Sequence, residues 1–282
     1  MIKAYFSIVK PGIIFGNAIT VAAGFALASK GNIDWGLFVM TLLGISLVMA
    51  SGCVFNNYID RDIDSVMERT KDRVLVKGLI TPRVAIVYAT VLGILGLLAL
   101  FLYTNTLTTF IALGGLFVYV IVYTLWLKRR SLLASLPGSI AGAVPPVVGY
   151  LAVRGEVDLG AGLLFLILML WQIPHALAIS SYRVEDYVAA GIPVLPAKRG
   201  MHTTKMYTIL FVALFAMATF SLAVFGYVGQ WYLGVMALVG IAWLVLAAKG
   251  LWSLGDKQWA RTMFVSSIVA IVVFSVMIAI GN

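Results

Sequence analysis

Nine apolar runs, each about twenty residues long, leave this chain few architectures. They fall near 12–29, 35–58, 81–103, 107–127, 132–153, 160–182, 204–228, 231–252 and 260–281. A helix needs about twenty apolar residues to cross the hydrocarbon core of a bilayer. A membrane-spanning strand would need about ten, with alternating polarity, and these runs do not alternate. The expected fold class is therefore all-α: a polytopic membrane protein of nine transmembrane helices, read as one domain over 1–282. Only 11% of the residues are charged, against about 25% in a typical soluble domain. Pro145-Pro146 falls inside the fifth run and is expected to break or bend it.

The net charge of +9 could suggest a nucleic-acid partner, but its distribution argues against one. With the N-terminus placed in the cytoplasm, eighteen of the twenty Lys and Arg residues fall on the cytoplasmic side, and only Lys30 and Arg154 on the other. Such a bias sets the orientation of a membrane protein. It puts both long polar connections, 59–80 and 183–203, in the cytoplasm and the C-terminus on the opposite side. Lys128-Arg129-Arg130 reads as part of this topological anchor. The single cysteine, Cys53, excludes an intrachain disulfide and reads as a small apolar residue.

The first long connection concentrates the chemistry. Between Asn56 and Lys77 lie five of the eleven acidic residues and five of the basic ones. Asn56, Asp60 and Asp64 are four apart, which puts them on one face of a helix. Stacked carboxylates repel one another unless a cation lies between them. Hard oxygen donors of this kind suit Mg²⁺, which bridges carboxylates to substrate phosphates. Arg69, Arg73 and Lys77 follow and can clamp a diphosphate. The other reading is an ordinary solvated loop, and spacing alone leaves both open. Asp62, Glu68 and Asp72 take that plainer reading.

The string Asn56-x-Tyr58-x-Asp60-Arg61-x-x-Asp64-x-x-Met67-x-Arg69-Thr70-x-x-Arg73 resembles the first aspartate-rich motif of the UbiA-type intramembrane prenyltransferases, in their protohaem farnesyltransferase branch. Lys10-Pro11-Gly12, Trp171-Gln172-Ile173-Pro174-His175 and Asp186-Tyr187-x-x-Ala190-Gly191-Ile192-Pro193 are similar to the same branch. The likeness runs from about residue 8 to 200. It departs at Val74, where the family pattern has proline. It departs again at the second motif, which offers Asp186 without a carboxylate four residues before it.

The resemblance implies nine helices around a central cavity and a Mg²⁺-dependent transfer of farnesyl from farnesyl diphosphate to a vinyl group of haem B, giving haem O. Asn56, Asp60, Asp64 and Asp186 become the metal candidates. Arg69, Arg73 and Lys77 become the diphosphate clamp, with Asp60, Asp64, Arg73 and Lys77 carrying the chemistry. Tyr123, His175, Tyr182, Arg183 and Lys198 become candidates for substrate contact. His175 is otherwise a histidine bonded to a neighbouring helix, and His202 an interfacial residue. A bacterial plasma (inner) membrane, a lipid bilayer environment, and a haem-copper oxidase or haem A synthase as partner follow from the same likeness. A prenyltransferase acting on a quinone precursor and a transporter or proton pathway are the competing readings. Against the transporter, no chain of ionisable residues crosses the bilayer.

Overall fold

The computed structural model describes residues 2–252 and 255–281. Among them, nine helices are long and apolar enough to cross a membrane: Pro11–Ser29, Trp35–Ile59, Pro82–Tyr103, Thr106–Leu127, Leu132–Arg154, Leu159–Tyr182, Leu195–Val224, Gln230–Trp252 and Asp256–Ile280. We call these spans one to nine. Each span packs against its neighbour in sequence, and span nine closes on span one, so the bundle is a ring. Spans one and five also pack together, as do six and nine, drawing the ring into two lobes around a cavity.

Polar residues between the spans act locally as helix caps. The carboxylate of Asp34 accepts from the Leu37 amide at 3.0 Å, and that of Asp158 from the Ala161 amide at 3.0 Å. Asn105 accepts from the Thr108 amide at 2.8 Å, and Thr81 from the Val84 amide at 3.4 Å. Each side chain satisfies one of the donors that the first turn of a helix leaves open. Toward lipid the spans show bare hydrocarbon such as Leu98, Phe110, Leu238 and Val269.

Close backbone approach holds spans one and five together. A Cβ at Gly24 would lie 2.0 Å from the Pro146 carbonyl oxygen, and one at Gly149 would lie 2.1 Å from the Val21 carbonyl oxygen. Only glycine permits this contact at either position, and small residues are the usual means of bringing membrane helices together.

The expected break at Pro145-Pro146 does not occur; the helix runs on from Ser135 to Arg154 through both prolines. The prolines deprive the Ala141 and Gly142 carbonyls of their helical donors. Both of those residues line the central cavity, where such a defect is tolerated. The discontinuities lie elsewhere. Val118–Leu127, the second half of span four, is a π-helix. Span seven kinks at Gly200 (φ 80°, ψ 166°) and ends at Val224, four residues before the expected 228. A short helix, Ile2–Ile8, precedes span one and was not apparent from periodicity. Lys10 joins the two in a left-handed conformation (φ 56°).

Candidate active site

The ends of spans one, two, four and six and the two long connections meet at one end of the ring. Span two ends at Ile59, but the Asp60 amide still bonds to the Asn56 carbonyl at 2.9 Å and the Asp64 amide to the Asp60 carbonyl at 2.8 Å. The helical spacing of Asn56, Asp60 and Asp64 therefore survives the bend, and all three side chains are buried. Asp62 points away, forming a two-pronged pair with Arg129 at 2.6 Å. That pairing holds its carboxyl down at about 2.

The three buried side chains are linked to cations from three directions. Lys10 Nζ donates to Asn56 Oδ1 at 2.6 Å, and Asn56 Nδ2 donates to Asp60 Oδ2 at 2.8 Å. Lys128 pairs with Asp60, and Arg73 with Asp64. Burial, followed by repulsion from Arg73, lowers the Lys10 ammonium from its usual range to about 8.

Lys128 is the main departure from the sequence reading, which made it a topological anchor. The π-helix of span four sets its direction. Thr124 Oγ1 donates to the Tyr119 carbonyl at 2.8 Å, and the Lys128 amide to the Tyr123 carbonyl at 2.9 Å. Both bonds reach back five residues. This wider turn brings Tyr119, Tyr123 and Lys128 all to the cavity wall, with the two tyrosine rings stacked at 6.0 Å.

The cavity encloses about 940 Å³, near the upper end for small-molecule sites. Its mouth carries Lys10, Arg69, Arg73, Lys128 and Arg183, with Asn56 and Asp64 among them. Its depth is apolar, walled by Ile45, Val48, Leu116, Val144 and Leu168. His175 and Trp171 line one side. Such a shape suits a ligand with an anionic head and a hydrocarbon tail. Arg69 lines the mouth with no carboxylate partner among the described residues.

The two long connections close together over this mouth. Ile63, Met67 and Ile192 form a small apolar cluster with Tyr187 and Val194 packed against it. Asp186 Oδ1 accepts from the Glu68 amide at 3.0 Å. Asp186 is thus near the first motif but engaged by its backbone, and the expected four-residue metal set is not assembled. Among the described residues, no three His, Cys, Asp or Glu side chains form a group that could hold a metal ion. A narrower donor set fits better: Asn56, Asp60 and Asp64 supply hard oxygens, and Asp60 Oδ1 is buried without a hydrogen-bond partner, which a cation would satisfy.

Of the expected substrate contacts, Arg69, Arg73, Tyr123, His175, Tyr182 and Arg183 line the cavity. Arg183 lies over the Tyr182 ring at 4.7 Å. Lys77 and Lys198 do not line it. Lys77 lies past the turn at Gly78 and pairs with Asp72 at 2.7 Å, half exposed. Lys198 is exposed on the short helical segment before the Gly200 kink. His202 is likewise exposed. Lys10 is the residue that site reasoning passed over. Its signal was the Lys-Pro-Gly string, in which proline opens span one and turns the preceding lysine inward.

Residues 17–268 match the UbiA prenyltransferase family. The chain belongs to that family. Similar UbiA-family proteins include the protoheme IX farnesyltransferases of Yersinia pseudotuberculosis and Photorhabdus laumondii, each 54% identical over 280 residues, 99% of this chain and 95% of the relative. Among solved structures, the UbiA fold is shared with a digeranylgeranylglyceryl phosphate synthase. That structure has a TM-score of 0.81 at 20% identity, covering 99% of this chain and 98% of that one. A UbiA homologue from Archaeoglobus fulgidus bound to GPP and Mg²⁺ has a TM-score of 0.73 at 17% identity, covering 98% and 99%.

Proposed function

We propose that this UbiA-family chain transfers farnesyl from farnesyl diphosphate to a vinyl group of haem B, with addition of water, giving haem O. The observation that carries this reading is the 54% identity along nearly the whole chain to proteins named protoheme IX farnesyltransferase. The cavity's chemistry agrees with it: five cations at the mouth, hydrocarbon at depth and an imidazole on the wall.

The farnesyl tail lies among the apolar side chains and the diphosphate at the mouth. Arg69, Arg73 and Lys128 neutralise the charge that grows on the leaving diphosphate as the allylic C–O bond breaks. The bond electrons leave with the diphosphate. Asn56, Asp60 and Asp64 are the residues that would hold Mg²⁺, which supplies a Lewis acid for the phosphate oxygens. The apolar wall shields the allylic cation from bulk water. The vinyl π electrons form the new C–C bond to C1 of the farnesyl group. The cation then left on the haem substituent takes the oxygen of one water, whose proton passes to the diphosphate. No protein nucleophile is required.

The charge bias of the connections puts this mouth in the cytoplasm, and the surrounding membrane is a bacterial plasma membrane. A haem A synthase or haem-copper oxidase in that membrane is the consumer of the product. Membranes containing the protein, given haem B, farnesyl diphosphate and Mg²⁺, should yield a pigment heavier by farnesyl plus water. Asp60→Ala should abolish that product while the protein still inserts. Normal product formation by that variant overturns the role given to Asp60.

A further inference from the structure

Span nine meets span six at a serine whose hydrogen bonds determine the state of the cavity histidine. His175 Nδ1 lies 2.7 Å from Ser267 Oγ. Ser267 is fully buried, and its hydroxyl donates its one hydrogen to the Phe264 carbonyl at 2.6 Å. The oxygen can then only accept, so the Nδ1 edge of His175 must donate. That assignment leaves the lone pair on Nε2.

The ring is held on its other sides as well. Trp171 stacks against one face at 4.7 Å with an interplanar angle of 22°, and Phe264 packs at 5.3 Å. Trp171 Nε1 donates to the Ser267 carbonyl at 2.8 Å, fastening the serine to the same span. Faces and Nδ1 edge being covered, the Nε2 edge is what His175 contributes to the cavity wall. No ion pair involving His175 appears among the described residues, and no protein donor to Nε2 either.

A neutral imidazole with Nδ1–H bound by a protein oxygen and Nε2 open is the arrangement in which histidine ligates a metal. The cavity mouth has its own cations for the diphosphate, so this lone pair is not needed there. Resting on the farnesyl-transfer reading above, we propose that Ser267 is a positioning residue that holds His175 as the axial ligand of the haem substrate's iron. The site then selects a metallated porphyrin over the iron-free ring. The ligand fixes the macrocycle against span six while one vinyl edge meets the prenyl tail.

The test compares binding of ferric haem B and of iron-free protoporphyrin IX to the purified full chain in detergent. The variants are His175→Ala, Ser267→Ala and Ser267→Thr, with His202→Ala as the control for the only other histidine. The wild type and His202→Ala should show the absorption of imidazole-bound haem. His175→Ala should lose it, regain it with added imidazole, and keep its affinity for protoporphyrin IX. Ser267→Ala should weaken haem binding about tenfold, the scale of lost support behind a metal ligand, and Ser267→Thr should restore it. An unchanged spectrum in His175→Ala overturns the proposal, as does equal loss of haem and protoporphyrin IX. A wild type that binds neither porphyrin overturns the farnesyl-transfer reading, and the ligand assignment with it.

Discussion

Replacing Lys128 with methionine removes the cation from a carboxylate that has no access to water. Asp60 is fully buried, and the side chain of Lys128 is 15% exposed. Breaking a buried ion pair by deleting one partner costs about 3–5 kcal/mol, because the remaining charge stays desolvated. Two neighbours soften the loss: Asn56 Nδ2 still donates to Asp60 Oδ2 at 2.8 Å, and Arg129 Nη2 waits 3.8 Å from Oδ1. The lower end, about 3 kcal/mol, is therefore expected. At about 2–4 °C per kcal/mol for a chain of this order of length, the unfolding temperature should fall by about 6–12 °C. The assay is thermal unfolding of the detergent-solubilised protein, run as a double-mutant cycle with Asp60→Asn. In the Asp60→Asn background the lysine substitution should cost less than about 1 kcal/mol, since no charge is left to strand. Mg²⁺ should stabilise Lys128→Met more than the wild type. Equal losses in both backgrounds would refute the reasoning.

Arg69 lacks a carboxylate partner, so Arg69→Gln should leave the unfolding temperature unchanged. A charged hydrogen bond contributes about 1.5–3 kcal/mol, so steady-state kinetics should show KM for farnesyl diphosphate raised by about ten- to a hundredfold. Gly24→Ala forces a methyl group onto the Pro146 carbonyl, and overpacking of this kind costs about 1–3 kcal/mol. Its unfolding temperature should drop, while Gly114→Ala, which meets nothing within 4 Å, should not move it. The single native cysteine is buried, so membrane-impermeant thiol reagents report introduced cysteines. Lys77→Cys should be labelled only from the cytoplasmic face and Arg154→Cys only from the other, and the reverse pattern would invert the assigned orientation.

Much of this architecture was legible because a bilayer imposes a length on every helix. Nine runs of that length gave nine spans, with ends displaced by a few residues. The four-residue spacing of Asn56, Asp60 and Asp64 was equally readable, since a helix converts spacing into a shared face. The partners of those acids were not. Lys10 and Lys128 are 46 and 68 residues from Asn56 and Asp60, respectively, and no periodicity reports which distant cation a ring will bring round. Lys77 was assigned to the clamp by proximity in sequence, yet the turn at Gly78 sends it outward. Pro145-Pro146 was read for what it does to an isolated helix. In the bundle, contacts with span one at Gly24 and Gly149 hold the segment straight enough to continue.

The π-turns of span four have a meaning in terms of chain length. An ordinary helix advances about 100° per residue, and a turn closed over five residues absorbs one residue more than a turn closed over four. Deleting a single residue between 118 and 127 would let the segment relax to ordinary winding. Everything after the deletion would then rotate by about 100° about the axis, taking Lys128 from Asp60 and Arg129 from Asp62 in one step. The surplus residue acts as a gear tooth that sets the phase between the hydrocarbon part of span four and its cationic end. Substitutions on the lipid face of that span, such as at Leu125 or Trp126, should be absorbed with little effect, whereas a change of one in the count should not.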